Sequence, residues 1–186
     1  VEDPSSGEAT AAGETVRVVV IGAGIAGIAA VEALRAASPA AEITLVSREK
    51  ELPYYRLNLT RYLAGEIKRA DLPIHPAGWY EEQKVQLLLG QEVRKLDLAG
   101  HAVELSGGGR LSFDKLLLAA GANPFVPPIP GSNREGVISV RTVEDADALL
   151  GACASGARCV CIGGGILGLE TAGALARRGA EVTLLE

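Results

Sequence analysis

Apolar and polar positions along this chain set out one arrangement twice. Residues Val16–Ile21 are an apolar, largely β-branched run of strand length, and an alanine-rich helical pattern follows beyond Gly24. The spacing predicts a helix over about Ile25–Ala37, with Ala26, Ala29, Ala30 and Ala33 small enough to approach a sheet closely. Ser38 and Pro39 end it. Ile43–Val46 is a second strand, completing a βαβ unit whose crossover is right-handed. The pattern returns at Arg158–Ile162, a glycine-rich turn, a helical segment and the apolar run Val182–Leu185.

Between the two copies the period changes. Leu52–Gly65 acquires helical spacing from Leu57 onward, Ala77–Gln83 allows one or two helical turns, and Val85–Leu89 is a third strand. Three short alternating runs follow at Glu92–Asp97, Ala102–Leu105 and Arg110–Phe113. Ala99-Gly100 and Gly107-Gly108-Gly109 separate them, so they predict an antiparallel meander. Lys115–Ala119 is another buried strand. Pro124, Pro127, Pro128 and Pro130 then make a stiff linker, and Thr142–Leu150 is a helix with Thr142 at its N-cap and Glu144 and Asp145 in its first turn. His75 and His101 are expected in loops, and Trp79 is expected to anchor packing.

Composition narrows the class. The 186 residues are 48% hydrophobic with 23 glycines, which suits a buried parallel sheet. A net charge of −5 without a basic block argues against nucleic acid as a partner. Residues 1–15 lack a basic n-region and an apolar h-region, and are expected to be a disordered tail. No apolar run approaches membrane-spanning length, so no membrane partner is expected. Cys153, Cys159 and Cys161 form no disulfide framework or metal-ligand pattern. Cys159 and Cys161 share one strand face and are expected to be buried structural thiols in a cytoplasmic protein.

The candidate chemistry lies in the turns. Gly22, Gly24 and Gly27 form Gly-x-Gly-x-x-Gly between strand and helix, around Ile25 and Ala26. Gly22 makes the tight turn, Gly24 admits a pyrophosphate to the backbone, and Gly27 lets helix and strand pack. Gly163, Gly165 and Gly168, with Ile166 and Leu167, repeat this 141 residues later. Two such cradles suggest two dinucleotides, each with its pyrophosphate at a helix N-terminus. A carboxylate about twenty residues further on would bind ribose hydroxyls. Glu49 is the candidate for the first cradle, with Arg48 beside it. Glu186, 18 residues past Gly168, is the candidate for the second, and its charge favours NADH over NADPH.

Leu-Pro-Tyr-Tyr-Arg (Leu52–Arg56) after a βαβ unit, with Gly-Gly-Gly-Ile-Leu-Gly-Leu-Glu (Gly163–Glu170) later, resembles the FAD-dependent pyridine nucleotide oxidoreductases. The similarity is nearest to NADH:rubredoxin reductases and the flavin half of the assimilatory nitrite reductase large subunit, and runs from Val16 to Glu186. It implies an α/β architecture: a Rossmann-like FAD-binding domain (16–124) with a three-stranded antiparallel meander crossover, a linker (125–141), and the start of a second Rossmann-like, NAD(P)-binding domain (142–186). It places Arg56 by the flavin diphosphate and Val93 at the adenine. Arg61 stands where relatives often carry a lysine near the isoalloxazine ring, and Glu170 near the nicotinamide. Ala119-Ala120-Gly121 stands where the family commonly has Ala-Thr-Gly beside the flavin.

The resemblance further implies FAD and NADH as cofactors, no catalytic acid or base for the hydride step, and an iron-protein acceptor: rubredoxin, ferredoxin or a fused reductase domain. A homo-oligomer is compatible with it. The stretch Leu52–Gly65 holds no cysteine, which argues against a disulfide-reductase variant. Because the second domain stops on its second strand, the chain is expected to be a fragment of a longer enzyme. A non-catalytic dinucleotide-binding module completed by a partner chain is the alternative.

Overall fold

The computed structural model of the protein describes residues 15–186, so all of the expected tail except Thr15 lies outside the described residues. In chain order the elements are β1 (Arg17–Ile21), α1 (Ile25–Ala37), β2 (Glu42–Val46), α2 (Leu59–Ala64), α3 (Ala77–Glu82), β3 (Val85–Leu88) and β4 (Val93–Asp97). There follow β5 (Ala102–Leu105), β6 (Arg110–Ser112), β7 (Lys115–Leu118), α4 (Val143–Ala152), β8 (Arg158–Ile162), α5 (Ile166–Arg177) and β9 (Glu181–Leu185). No helix among the described residues is long and apolar enough to cross a membrane. The chain forms two compact units. Among the described residues, one takes 15–23, Gly27–Lys50 and Tyr80–Ala119, and the other takes Gly24–Ala26, Glu51–Trp79 and Ala120–Glu186.

The first unit is built on a four-stranded sheet in the order β3-β2-β1-β7, with every neighbouring pair parallel. A central parallel strand is covered on both faces, which is why β1 is a continuous apolar run instead of an alternating one. Val18, Val19 and Val20 are 5%, 2% and 0% exposed. Ile28 and Val31 of α1 are buried, as are Ile43, Leu45 and Val46 of β2.

The predicted meander is present as the antiparallel sheet β4-β5-β6, with a register shift between Val93 and Lys95. Val103 from it, and Phe113 just past β6, pack with Val19 and Val46. Arg17 grips Asp114 through its backbone N–H and two guanidinium nitrogens, at 2.8, 3.1 and 2.7 Å. That guanidinium holds the Asp114 carboxyl down at about 2. At the end of α1, Arg35 donates to the carbonyls of Gln83, Pro39, Ala41 and Lys84 at 2.8–3.0 Å. It thereby braces Lys84, whose φ of 51° is left-handed for a residue with a side chain.

The second unit gathers α2, α4 and α5 around Tyr54, Leu59, Leu63, Leu72, Val143, Ala146 and Ala174. β8 and β9 pair in parallel as a two-stranded sheet, and with one neighbour each they leave Val160, Ile162, Leu184 and Leu185 exposed. Thr142 caps α4 as its sequence predicts: its Oγ1 accepts from the Asp145 N–H at 3.2 Å, and Asp145 Oδ2 accepts from the Thr142 N–H at 2.8 Å. Residues 119–141 hold no helix or strand, in keeping with their prolines.

Two candidate dinucleotide cradles

In the first cradle the chain leaves β1 at Gly22, whose φ of 103° only glycine adopts without strain and whose N–H donates to the Val46 carbonyl at 2.9 Å. The three glycines have separable jobs. A methyl group at Gly27 would drive into the Gly22 carbonyl, so this glycine is required by packing. A methyl at Gly24 would meet no protein atom within 4 Å. Its lack of a side chain serves nothing inside the protein, and what it leaves open is a backbone approach from outside at the start of a 13-residue helix.

The second cradle repeats this closely. Gly163 has φ 112° and donates to the Leu185 carbonyl at 2.8 Å. A methyl at Gly168 would strike the Gly163 carbonyl, and one at Gly165 would meet nothing within 4 Å. Gly165 is the N-cap of α5 and supplies no side-chain cap, so the first N–H groups of a 12-residue helix have no capping side chain. Ile166 and Leu167, in its first turn, are exposed.

The two candidate glutamates follow the second strand of each cradle, Glu49 after β2 and Glu186 after β9. Glu49 lies three residues past Val46, at the sheet end where Val46 accepts from Gly22. Its N–H is held by Ser47 Oγ at 3.2 Å, and its carbonyl accepts from Gly90 at 2.9 Å. Arg48 is exposed beside it. Glu186 is nearer still to its glycines: its Oε2 accepts from the Gly164 N–H. The same carboxylate oxygen lies where a methyl on Gly164 would have to go.

The remaining predicted residues divide between the units. Val93 begins β4 and packs against the cluster containing Val46. The Ala119 N–H donates to the Ile21 carbonyl at 2.7 Å, which puts it beside the first cradle's strand end. In the second unit Gly121 takes a left-handed φ of 69°. Arg56 donates to the Tyr54 hydroxyl at 3.2 Å and to the Arg141 carbonyl at 2.8 Å.

Arg61 is brought to Glu66, Nε to Oε2 at 3.3 Å, and Arg177 reaches the same carboxylate at 3.4 Å. Glu170 instead accepts from Thr60 Oγ1 at 3.0 Å. Ala120 lies in the strand-free stretch between Ala119 and Gly121.

Sequence reasoning passed over two residues. Arg141 extends its guanidinium to 3.2 Å from where a Gly121 side chain would begin, a placement that only the folded path from 121 to 141 reveals. Thr60 is the second, since nothing in a Leu-Thr-Arg string points to a glutamate 110 residues away. His75 and Trp79 stack on each other, with ring centroids 3.9 Å apart and planes 9° from parallel. No group of three or more metal-ligating side chains occurs among the described residues. A cavity of about 430 Å³ in the second unit is lined by Tyr54, Leu72, Pro73, Val143 and Arg69 among others, but by none of the cradle glycines.

Comparison with known proteins agrees with this geometry. The family model for pyridine nucleotide-disulphide oxidoreductases matches residues 16–186. Rhodocoxin reductase of Rhodococcus erythropolis is 36% identical over 91% of this chain and 40% of its own length. The nitrite reductase [NAD(P)H] of Bacillus subtilis is 34% identical over 91% of the chain and 21% of its own. Among solved structures, the covalent putidaredoxin reductase–putidaredoxin complex superposes with a TM-score of 0.84 at 32% identity, over 94% of this chain and 43% of the matched one. NADH:rubredoxin oxidoreductase of Clostridium acetobutylicum does so at 0.80 and 28%, over 92% and 44%. The chain thus spans less than half the length of the relatives it matches. Two glycine cradles of matching geometry and a family match over both make this chain a member of the pyridine nucleotide-disulphide oxidoreductase family.

Proposed function

We propose that this chain supplies the dinucleotide-binding part of an FAD-dependent NAD(P)H oxidoreductase that passes electrons to an iron protein. The observation that carries this reading is the repeated contrast between a packing glycine and a glycine with nothing around it. Gly27 and Gly168 are needed by the fold, whereas Gly24 and Gly165 clear a backbone approach. A pyrophosphate would use that clearance, held by the N–H groups at the start of α1 or α5.

In this reading the first cradle holds FAD, with Glu49 on the ribose hydroxyls of its ADP half. Val93, Ala119, Ala120 and Gly121 contribute through small side chains or backbone, and Arg56 offers its charge to the diphosphate. The second cradle holds the nicotinamide nucleotide. Glu186, whose Oε2 accepts from the Gly164 N–H, is the carboxylate assigned to the ribose 2′-hydroxyl, where its charge would repel a 2′-phosphate. NADH is therefore the proposed donor. Glu170, fixed by Thr60, would orient the carboxamide without moving a proton.

FAD in the first cradle would supply hydride acceptance and one-electron release, and the residues of both cradles would bind and orient the two nucleotides for it. A rubredoxin, a ferredoxin or a fused reductase domain is the proposed acceptor. Support comes from relatives whose names pair them with rhodocoxin, putidaredoxin, rubredoxin or nitrite reduction.

The test is NADH-dependent reduction of an artificial electron acceptor by the whole enzyme loaded with FAD. Turnover that requires both nucleotides supports the reading. A protein that binds both nucleotides yet reduces nothing would be a nucleotide-binding module instead.

A further inference from the structure

The three cysteines separate in the fold in a way their spacing does not suggest. Helix α4 ends at Cys153, whose N–H still donates to the Leu149 carbonyl. The chain then doubles back through a short turn, closed by the Ala157 N–H on the Ala154 carbonyl at 2.9 Å, and enters β8 at Arg158. That return sets Cys153 Sγ 2.9 Å from Cys159 Sγ. Unbonded sulfurs do not ordinarily approach so closely, and a small further movement would bring them to the ~2.05 Å of a disulfide.

Both are free thiols, and they sit in a small apolar cluster with Leu175, Ala180 and Val182. Cys161, the same-strand neighbour, turns elsewhere and meets the Gly168 carbonyl at 3.5 Å. Cys153 is 8% exposed, whereas Cys159 is only half-buried.

We propose that Cys153 and Cys159 are a redox-active dithiol, oxidised reversibly to an intramolecular disulfide by a low-molecular-weight disulfide. The exposure difference assigns the order of events. The Cys159 thiolate attacks one sulfur of the oxidant, forming a mixed disulfide and expelling the first thiol. Cys153 then loses its proton to water and attacks Cys159 Sγ, expelling the second. Two electrons and two protons pass from the pair to the oxidant, which leaves as two thiols.

Burial and the hydrogen bond with Cys159 push the Cys153 thiol up to about 11, so it stays protonated at neutral pH and leaves the first attack to Cys159. The new bond ties the C-terminus of α4 to β8, the strand that runs directly into the second cradle at Gly163. It does not depend on the proposed oxidoreductase activity.

The experiment exposes the folded whole protein to oxidised glutathione, then counts thiols, weighs the protein and maps the tryptic peptides that carry Cys153, Cys159 and Cys161. Trypsin cuts after Arg158 and so separates Cys153 from Cys159, which makes the bond visible as two joined peptides. The expected result is loss of two of the three thiols, a mass lower by two hydrogen atoms without a glutathione adduct, and full recovery with dithiothreitol. Cys161→Ser should keep the bond, and Cys153→Ser should arrest at a glutathione adduct on Cys159. Three thiols still free, a bond to Cys161, or a bond that forms only after denaturation would overturn the proposal. Cys161→Ser leaves the pair itself untouched, so the test stands even if Cys153→Ser fails to fold.

Discussion

Replacing Gly24 and Gly27 in turn by alanine should separate folding from nucleotide binding within one six-residue motif. At Gly27 the added methyl meets the Gly22 carbonyl oxygen well inside contact distance, then the Gly22 carbonyl carbon at 3.1 Å and Leu45 Cδ1 at 3.7 Å. Backbone has to move, and overpacking of this kind costs about 1–3 kcal/mol. For a chain of this size that lowers the melting temperature by about 2–12 °C.

At Gly24 the methyl meets nothing, and the residue's φ lies outside the left-handed region, so stability should change by no more than about 0.5 kcal/mol. The methyl does occupy the path of a pyrophosphate. Losing one charge-assisted N–H···phosphate bond removes about 1.5–3 kcal/mol, or about 10- to 150-fold in affinity for FAD. Thermal denaturation followed by circular dichroism gives the first quantity, and a fluorescence titration with FAD gives the second. Equal loss of stability in both variants, or undiminished FAD affinity in Gly24→Ala, would refute the division of labour. Gly165 and Gly168 should behave in the same way toward NADH.

Thr142→Ala removes the Oγ1 that accepts from Asp145 and should destabilise the second unit by about 1 kcal/mol, measurable by urea denaturation. Asp114→Asn should lower the melting temperature at neutral pH. Because the folded carboxyl sits at about 2, below its ordinary value of 3.8, the advantage of Asp114 should be complete above that ordinary value. It should fade as pH falls toward 2 in melts taken across that range. Glu186→Ser should weaken NADH and strengthen NADPH, so that the ratio of their kcat/KM values in the whole enzyme moves at least about tenfold. An unchanged ratio would remove Glu186 from the 2′ position.

Much of the fold could be read in the sequence because local signals and tertiary outcome agree. The β-branched run at β1 is central and buried on both faces, the paired glycine clusters around Ala99-Gly100 and Gly107–Gly109 do separate three antiparallel strands, and Thr142 does cap α4. The cradles were legible for the same reason, since their geometry is made within a few residues. What escaped depends on where the chain returns.

The spacing of Cys159 and Cys161 draws attention to a pair that cannot bond easily, while the contact that forms joins a helix end to a strand across a four-residue turn. The neighbours of Arg61 and Glu170 carry no local signal either: the fold gives Glu66 to Arg61 and Thr60 to Glu170. The segment Glu51–Trp79, which follows the first βαβ unit in sequence, packs in the second unit because Leu59, Leu63 and Leu72 find Val143, Ala146 and Ala174 there.

The central claim is that the two cradles serve two different dinucleotides in one electron path. It is tested most directly by adding NADH anaerobically to the FAD-loaded whole enzyme while recording its visible spectrum. The account predicts that the flavin band bleaches with one equivalent of NADH, and that Gly165→Ala slows the bleaching without releasing FAD. A flavin band that survives saturating NADH, in a protein shown to bind it, would contradict the account.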